Sequence, residues 1–294
     1  MVETKFHKTD DGQKLAFSQV NGDKNIKNLP GVVFLSGLKS DKEGTKAIFL
    51  SQWAEKNKRD FLRFDYRGHG TSSGNFEDTS ISDWLEDTKQ IVMALTSGPQ
   101  ILVGSSLGGW ISLLFARLYP QKVAGIIGIA AAPDFTTQYA LNNLSADKRR
   151  ELKTTGKLSF HSEYFEEPLV ITKKLIDDGN ENLVLTNKQS INCPVRLLHG
   201  SLDEDVPISK SIKILEILSS SDTINLSMSF IGDRYQIAAT WILNPRQMWR
   251  GHDLEQYLND VVPTSSRPYY SWDRQKSTQE LLEIIENDEN LKNT

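Results

Sequence analysis

Cysteine is nearly absent from this 294-residue sequence: Cys193 stands alone, so no intramolecular disulfide can form and packing must hold the fold. It lies in the apolar stretch Ile191-Asn192-Cys193-Pro194-Val195, where a small buried hydrophobe is the plain reading and a reactive thiol is not. Long apolar runs are missing as well. The longest, residues 123–133, falls well short of the ~20 residues a membrane span needs. The charged first eight residues lack the apolar core of a secretory signal. The expectation is a chain without a membrane span in a reducing compartment, the cytoplasm. Positive charge is not in excess, with 34 Lys and Arg against 38 Asp and Glu and a formal net charge of −4. The field that draws proteins to phosphate backbones is therefore lacking, and nucleic acid is not an expected partner. Histidine is scarce: of five, no two stand at metal-ligand spacing. Internal repeats and low-complexity tracts are missing.

What is present is an alternation of short apolar strands with amphipathic helices. Residues 4–20 alternate apolar and polar on either side of Asp10-Asp11-Gly12 and read as a hairpin. A strand at 31–36 (GVVFLS) leads to a helix near 46–56, a strand at 61–65 to a helix at 81–95, and a strand at 100–104 (QILVG) to a helix at 107–119 that Pro120 stops. A buried strand follows at 123–130. From 133 to 190 the strand signal gives way to polar helical segments such as 145–153 and 168–178, which read as an inserted helical cap. The alternation resumes with a strand at 195–199, a helix near 208–218 and a last strand at 224–231. Beyond Gly232 no further strand is evident, and 279–290 reads as a closing helix. The pattern predicts an α/β fold with a mostly parallel sheet covered on both faces. Its core would comprise residues 1–132 and 191–294, and its cap residues 133–190.

Gly104-Ser105-Ser106-Leu107-Gly108 is a G-x-S-x-G sequence set between a predicted strand and a predicted helix, the context that gives the pattern meaning. A serine on so tight a turn needs tiny neighbours two residues away on each side. Ser106 has Gly104 and Gly108 there; Ser105 would have Val103 and Leu107. Ser106 is the candidate nucleophile. Its oxyanion needs two N–H donors, one of them just after the nucleophile, which is Leu107. The loop Ser36-Gly37-Leu38-Lys39-Ser40-Asp41 would supply the other, with Gly37 allowing a sharp turn and the Leu38 N–H left as donor.

After the strand at 195–199 the loop His199-Gly200-Ser201-Leu202-Asp203-Glu204-Asp205-Val206-Pro207 carries three carboxylates. Asp203, one turn past the strand, is the candidate acid; Asp205 could instead cap the next helix, and Asp134, after the strand at 123–130, is a weaker alternative acid. A base placed after the acid in chain order can only be His252, since His7, His69, His161 and His199 all precede Asp203. Its setting, Arg250-Gly251-His252-Asp253-Leu254, is a glycine turn before a helical stretch.

Together Asp65-Tyr66-Arg67-Gly68-His69-Gly70-Thr71-Ser72, Gly104-Ser105-Ser106-Leu107-Gly108-Gly109-Trp110, and His199-Gly200 followed by Asp203 and Val206-Pro207 resemble the α/β-hydrolase superfamily, from the first hairpin to about Ile231. Ser40-Asp41, Gly44-Thr45-Lys46-Ala47, Asp83-Trp84-Leu85 and Ala131-Ala132-Pro133-Asp134-Phe135 are similar to bacterial carboxylesterases related to the mitochondrial acyl-protein thioesterase and acyl-glucuronide esterase branch. The resemblance implies an eight-stranded sheet, a small helical cap, a Ser-Asp-His triad, no cofactor, and a small acyl ester or thioester substrate. It maps onto Ser106, Asp203, Leu38 and Leu107. The base departs from it: that branch has a histidine directly after the last strand, whereas this chain reads Ile231-Gly232-Asp233-Arg234-Tyr235. An aromatic segment follows, with Trp241, Trp249, Tyr257, Tyr269, Tyr270 and Trp272, which packing of a divergent tail explains best; an acyl pocket or a homodimer contact are the other readings. Rival functions are a carbon–carbon bond hydrolase or a peptidase using the same triad, and a non-catalytic hydrolase-fold binding protein.

Overall fold

The structure, a computed structural model, describes residues 2–23, 29–161, 168–200, 203, 205–220, 223–231 and 234–238. In chain order the elements are β1 (Lys5–Lys8), β2 (Lys14–Val20), β3 (Gly31–Leu35), α1 (Thr45–Lys56), β4 (Phe61–Phe64), α2 (Ile81–Leu95), β5 (Gln100–Ser105), α3 (Leu107–Leu118) and β6 (Val123–Ile129). Then come α4 (Ala146–Thr155), β7 (Lys157–Phe160), β8 (Leu169–Thr172) and α5 (Lys173–Glu181), followed by β9 (Val195–Gly200), α6 (Ser209–Ile217), β10 (Thr223–Ile231) and β11 (Arg234–Ala238).

One sheet runs β1-β2-β4-β3-β5-β6-β9-β10-β11. From β4 to β10 every neighbour is parallel, while β1, β2 and β11 are antiparallel additions at the edges. The central strands are apolar on both sides because both faces are covered. Val33, Leu35, Leu62, Phe64 and Leu102 point to the face packed by α2 and α3, where Trp84, Ile91, Trp110, Leu114 and Phe115 complete the larger core. Val32, Phe34, Phe61, Val103 and Ile127 point the other way, onto Ala47, Trp53 and Ala54 of α1.

Two expectations need correction. The sheet has nine strands rather than eight: β10 does not end the alternation but turns back at Ile231↔Arg234 into antiparallel β11. The segment between β6 and β9 is not helical throughout, since β7 and β8 form a two-stranded antiparallel sheet whose Leu158 and Ile171 are fully buried. The predicted helix at 168–178 is strand β8 running into α5, with the Thr172 hydroxyl capping the helix by accepting from the Leu175 N–H. The closing helix at 279–290 and the aromatic segment lie outside the described residues. Among the described residues no helix is long and apolar enough to cross a membrane.

Candidate active site

Ser106 sits between β5 and α3 with φ 50° and ψ −112°, a conformation L-residues avoid and that costs on the order of 1–3 kcal/mol. Hydrogen bonds hold it there. The Ser106 N–H donates to the Ile129 carbonyl at 2.9 Å, and its own carbonyl accepts from the Gly109 N–H at 2.9 Å and the Ala132 N–H at 3.1 Å. The turn is possible only because its neighbours have no side chains: a β-carbon on Gly104 would stand 2.3 Å from the Gly108 carbonyl oxygen. Ser106 is partly exposed, at the carboxyl ends of the parallel strands, whereas Leu107 is buried. In open α/β sheets this edge is where ligands bind.

The loop after β3 lies against it. A β-carbon built on Gly37 would be 3.6 Å from the Ser106 Cβ, so the loop that carries Leu38 flanks the serine directly. The sharp bend is not at Gly37, as the sequence led us to expect, but at Lys39, whose φ is 56°. The Ser40 N–H closes the turn on the Gly37 carbonyl at 3.1 Å. Among the described residues neither the Leu38 nor the Leu107 N–H meets an acceptor, which leaves both free as donors.

The far end of this loop is tied down by Asp65, buried at the end of β4. Its carboxylate accepts from the Lys42 N–H at 2.6 Å and the Thr71 N–H at 3.0 Å. Burial pushes the Asp65 carboxyl up, against the pull of those two N–H groups. The adjoining Arg67 donates from Nε (2.9 Å) and Nη2 (2.7 Å) to the fully buried Asp87, whose carboxylate also takes the Arg67 N–H at 2.7 Å. Burial lifts Asp87 to about 6 in spite of that pairing. Asp65 thus braces the loop bearing Leu38, while Arg67 ties the segment to α2 and to Asp11 of the first hairpin.

Asp203 follows β9, which is separated from β5 by β6 alone, so the strands leading to Asp203 and Ser106 stand about 10 Å apart in the sheet. The Asp203 Oδ1 accepts from the Asp205 N–H at 3.1 Å and the Val206 N–H at 2.8 Å. Asp205 does not cap the next helix; the N-cap position of α6 is Ile208 and carries no side-chain cap. Asp134 is 4% exposed, and its two carboxylate oxygens accept the Val184 and Leu185 N–H groups at 2.9 and 2.8 Å. Burial raises its carboxyl while those N–H groups lower it. It fastens residues 184–185 to the sheet edge, and both of its carboxylate oxygens are thereby engaged. His252 lies outside the described residues. Cys193 is partly exposed and packs against the core, and burial pushes its thiol up. Among the described residues no group of three or more His, Cys, Asp or Glu side chains converges to hold a metal.

A parallel sheet flanked by helices, a strained serine between a central strand and its helix, and a carboxylate two strands away define an α/β hydrolase. More narrowly, residues 30–227 match the family Hydrolase_4, described as serine aminopeptidase, S33, and the chain belongs to that family. It is 36% identical over 209 residues to the human mitochondrial palmitoyl-protein thioesterase ABHD10, a match covering 71% of this chain and 66% of that protein. The chain therefore spans a little under two thirds of the length of that relative. The structure of mouse alpha/beta hydrolase domain-containing protein 10 superposes with a TM-score of 0.69 at 32% identity, covering 76% of this chain and 88% of that one. A protein from Agrobacterium vitis S4 described as a hydrolase gives 0.72 at 34% identity, covering 77% and 90%.

Proposed function

We propose that the protein is a serine hydrolase of acyl esters or thioesters working through an acyl-enzyme. Ser106 attacks the acyl carbonyl, the Leu38 and Leu107 N–H groups receive the developing oxyanion, and His252, oriented by Asp203, takes the serine proton and returns it to the leaving group. Water then releases the acid by the same route. The observation that carries this reading is the strained Ser106 backbone, with φ 50°, beside a loop whose Leu38 N–H is unused. Strain of this kind persists only where surrounding structure enforces it. The thioesterase named among the relatives favours thioesters within the substrate class.

A second reading, a hydrolase-fold binding protein without turnover, draws on one observation: β10 returns as a hairpin at Ile231↔Arg234, where the related branch places its histidine. A p-nitrophenyl ester series from acetate to decanoate and an acyl-thioester series, run at about pH 8 where a histidine base is neutral, separate the two. Turnover that falls by roughly 10⁴-fold or more in both Ser106→Ala and His252→Ala supports the triad. Activity surviving in His252→Ala removes that residue as base, and a wild type inert to both series favours the binding protein.

A further inference from the structure

His199, the penultimate residue of β9, stands four residues before Asp203 and is 1% exposed. Both ring nitrogens are engaged. Nε2 lies 2.7 Å from the Val206 carbonyl oxygen and Nδ1 lies 2.7 Å from the Ser211 Oγ, itself buried in α6. A carbonyl only accepts, so Nε2 carries a hydrogen. The same Nε2 stands 4.0 Å from the Asp203 Oδ2.

These contacts close a ring of constraints around the acid. Val206 gives its N–H to the Asp203 Oδ1 and receives the His199 hydrogen on its carbonyl, so one residue links the histidine to the carboxylate. Ser211, from the helix behind, fixes the imidazole plane. With Oδ1 engaged by two backbone N–H groups and the His199 hydrogen drawn toward Val206, the Asp203 Oδ2 has no short bond among the described residues.

We propose that His199 is a positioning residue which, through Val206 and Ser211, holds the Asp203 carboxylate in one orientation with Oδ2 presented to the active site. The inference rests on the assignment of Asp203 as the acid. A ring that turned from Val206 toward Oδ2 would compete with the base for it; the Ser211 contact prevents that turn.

The test compares His199→Leu, which removes both contacts, with His199→Gln, whose side-chain amide can still donate to the Val206 carbonyl, by amide hydrogen exchange and by steady-state kinetics. In His199→Leu the Val206 amide is expected to exchange at least about tenfold faster while amides of β6 keep their protection. The kcat falls about tenfold or more with KM unchanged, because His199 is buried behind the Asp203 loop. His199→Gln restores most of both. Should His199→Leu not fold, Ser211→Ala, which frees only Nδ1, is measured in its place with the same exchange and kinetic expectations in smaller degree. An unchanged Val206 exchange rate overturns the proposal. So does a loss of kcat that follows the melting temperature equally in the Leu and Gln variants. A wild type without turnover defeats the ester-hydrolase reading alone, since the Val206 exchange comparison still decides whether His199 holds the acid loop.

Discussion

Gly108, at the start of α3, lies so close to the end of β3 that a β-carbon on it would stand 2.0 Å from the Leu35 carbonyl oxygen and 2.8 Å from that of Ser36. Those atoms are backbone and cannot swing aside. Gly108→Ala must therefore push α3 away from β3, displacing the Leu107 N–H and the loop with Leu38 together. Overpacking of this kind costs about 1–3 kcal/mol, and more where only backbone can yield. We expect a melting temperature lower by several degrees in thermal denaturation. An esterase rate reduced beyond what the folded fraction explains should accompany it.

The loop after β3 depends on a second arrangement. Lys42 and Arg63 are both buried, and the half-exposed Glu43 serves both, at 2.5 Å from Lys42 Nζ and 2.8 Å from an Arg63 Nη. The Arg63 Nε has no partner among the described residues. Glu43→Gln removes the one carboxylate that pairs directly with both buried cations. Because Glu43 is itself half exposed, a loss of about 1–3 kcal/mol is expected rather than the ~3–5 kcal/mol of a fully buried pair. Adding Lys42→Met to Glu43→Gln should recover part of it in urea unfolding, since the hydrogen bond to Asp65 comes from the Lys42 backbone. A double variant no more stable than Glu43→Gln would contradict the account.

How much of this was legible beforehand depended on the range of the contact responsible. The predicted bounds of α2, 81–95, coincide with those observed, because fifteen residues supply four turns of apolar periodicity, with Ile81, Trp84, Ile91 and Val92 buried. The hairpin β7–β8 was not legible. Four-residue strands such as Lys157–Phe160 hold too few alternations to tell period 2 from period 3.6, and what fixes them is pairing with each other. β11 was overlooked although Arg234–Ala238 alternates after Gly232-Asp233, since an edge strand exists only by virtue of the neighbour it pairs with. At the site, Ser106 could be found because its requirements are local: two glycines and a strand-to-helix junction. The bend at Lys39, the use of Asp134 by residues 50 and 51 positions away, and the link from His199 to Ser211 are tertiary facts with no local sign.

The acid limb of stability should carry the mark of His69. It is 4% exposed among Tyr66, Phe76 and Trp84, and burial pushes it from 6.5 down to about 4, against the pull of the Arg67 carbonyl on Nδ1. Between about pH 4 and 6.5 the unfolded chain holds a proton on His69 that the folded chain does not. The contribution to stability is therefore full above 6.5 and lost as pH falls toward 4, amounting to at most ~3 kcal/mol. Asp87, raised to about 6, acts in the opposite sense, its contribution declining as pH rises toward 6. The two are separated by His69→Phe, for which the fall in unfolding free energy between neutral pH and about pH 4 should shrink by up to that ~3 kcal/mol. An unaltered acid limb would show that His69 is not the group responsible.

The segment between β6 and β9 is joined to the helices of the sheet through the first turn of α2. That helix has no side-chain cap from its own N-cap residue, Ser80, whose hydroxyl instead donates to Asp83 at 3.0 Å. α5 supplies a carboxylate in its stead: Asp178 accepts the Ser82 N–H at 2.8 Å across 96 residues of chain. Lys174 reaches Asp83 at 2.9 Å, and the Asn182 amide reaches the Ser82 hydroxyl at 3.0 Å. An acceptor at a helix N-terminus is worth roughly 1 kcal/mol in either direction of the contact, to the helix it caps and to the element that supplies it. Asp178→Ala should therefore lower the free energy of exchange for amides of both α5 and the first turn of α2 by about 1 kcal/mol, a roughly fivefold faster exchange in both places. If α5 loosened while α2 kept its protection, Asp178 would be holding its own helix rather than joining α5 to α2.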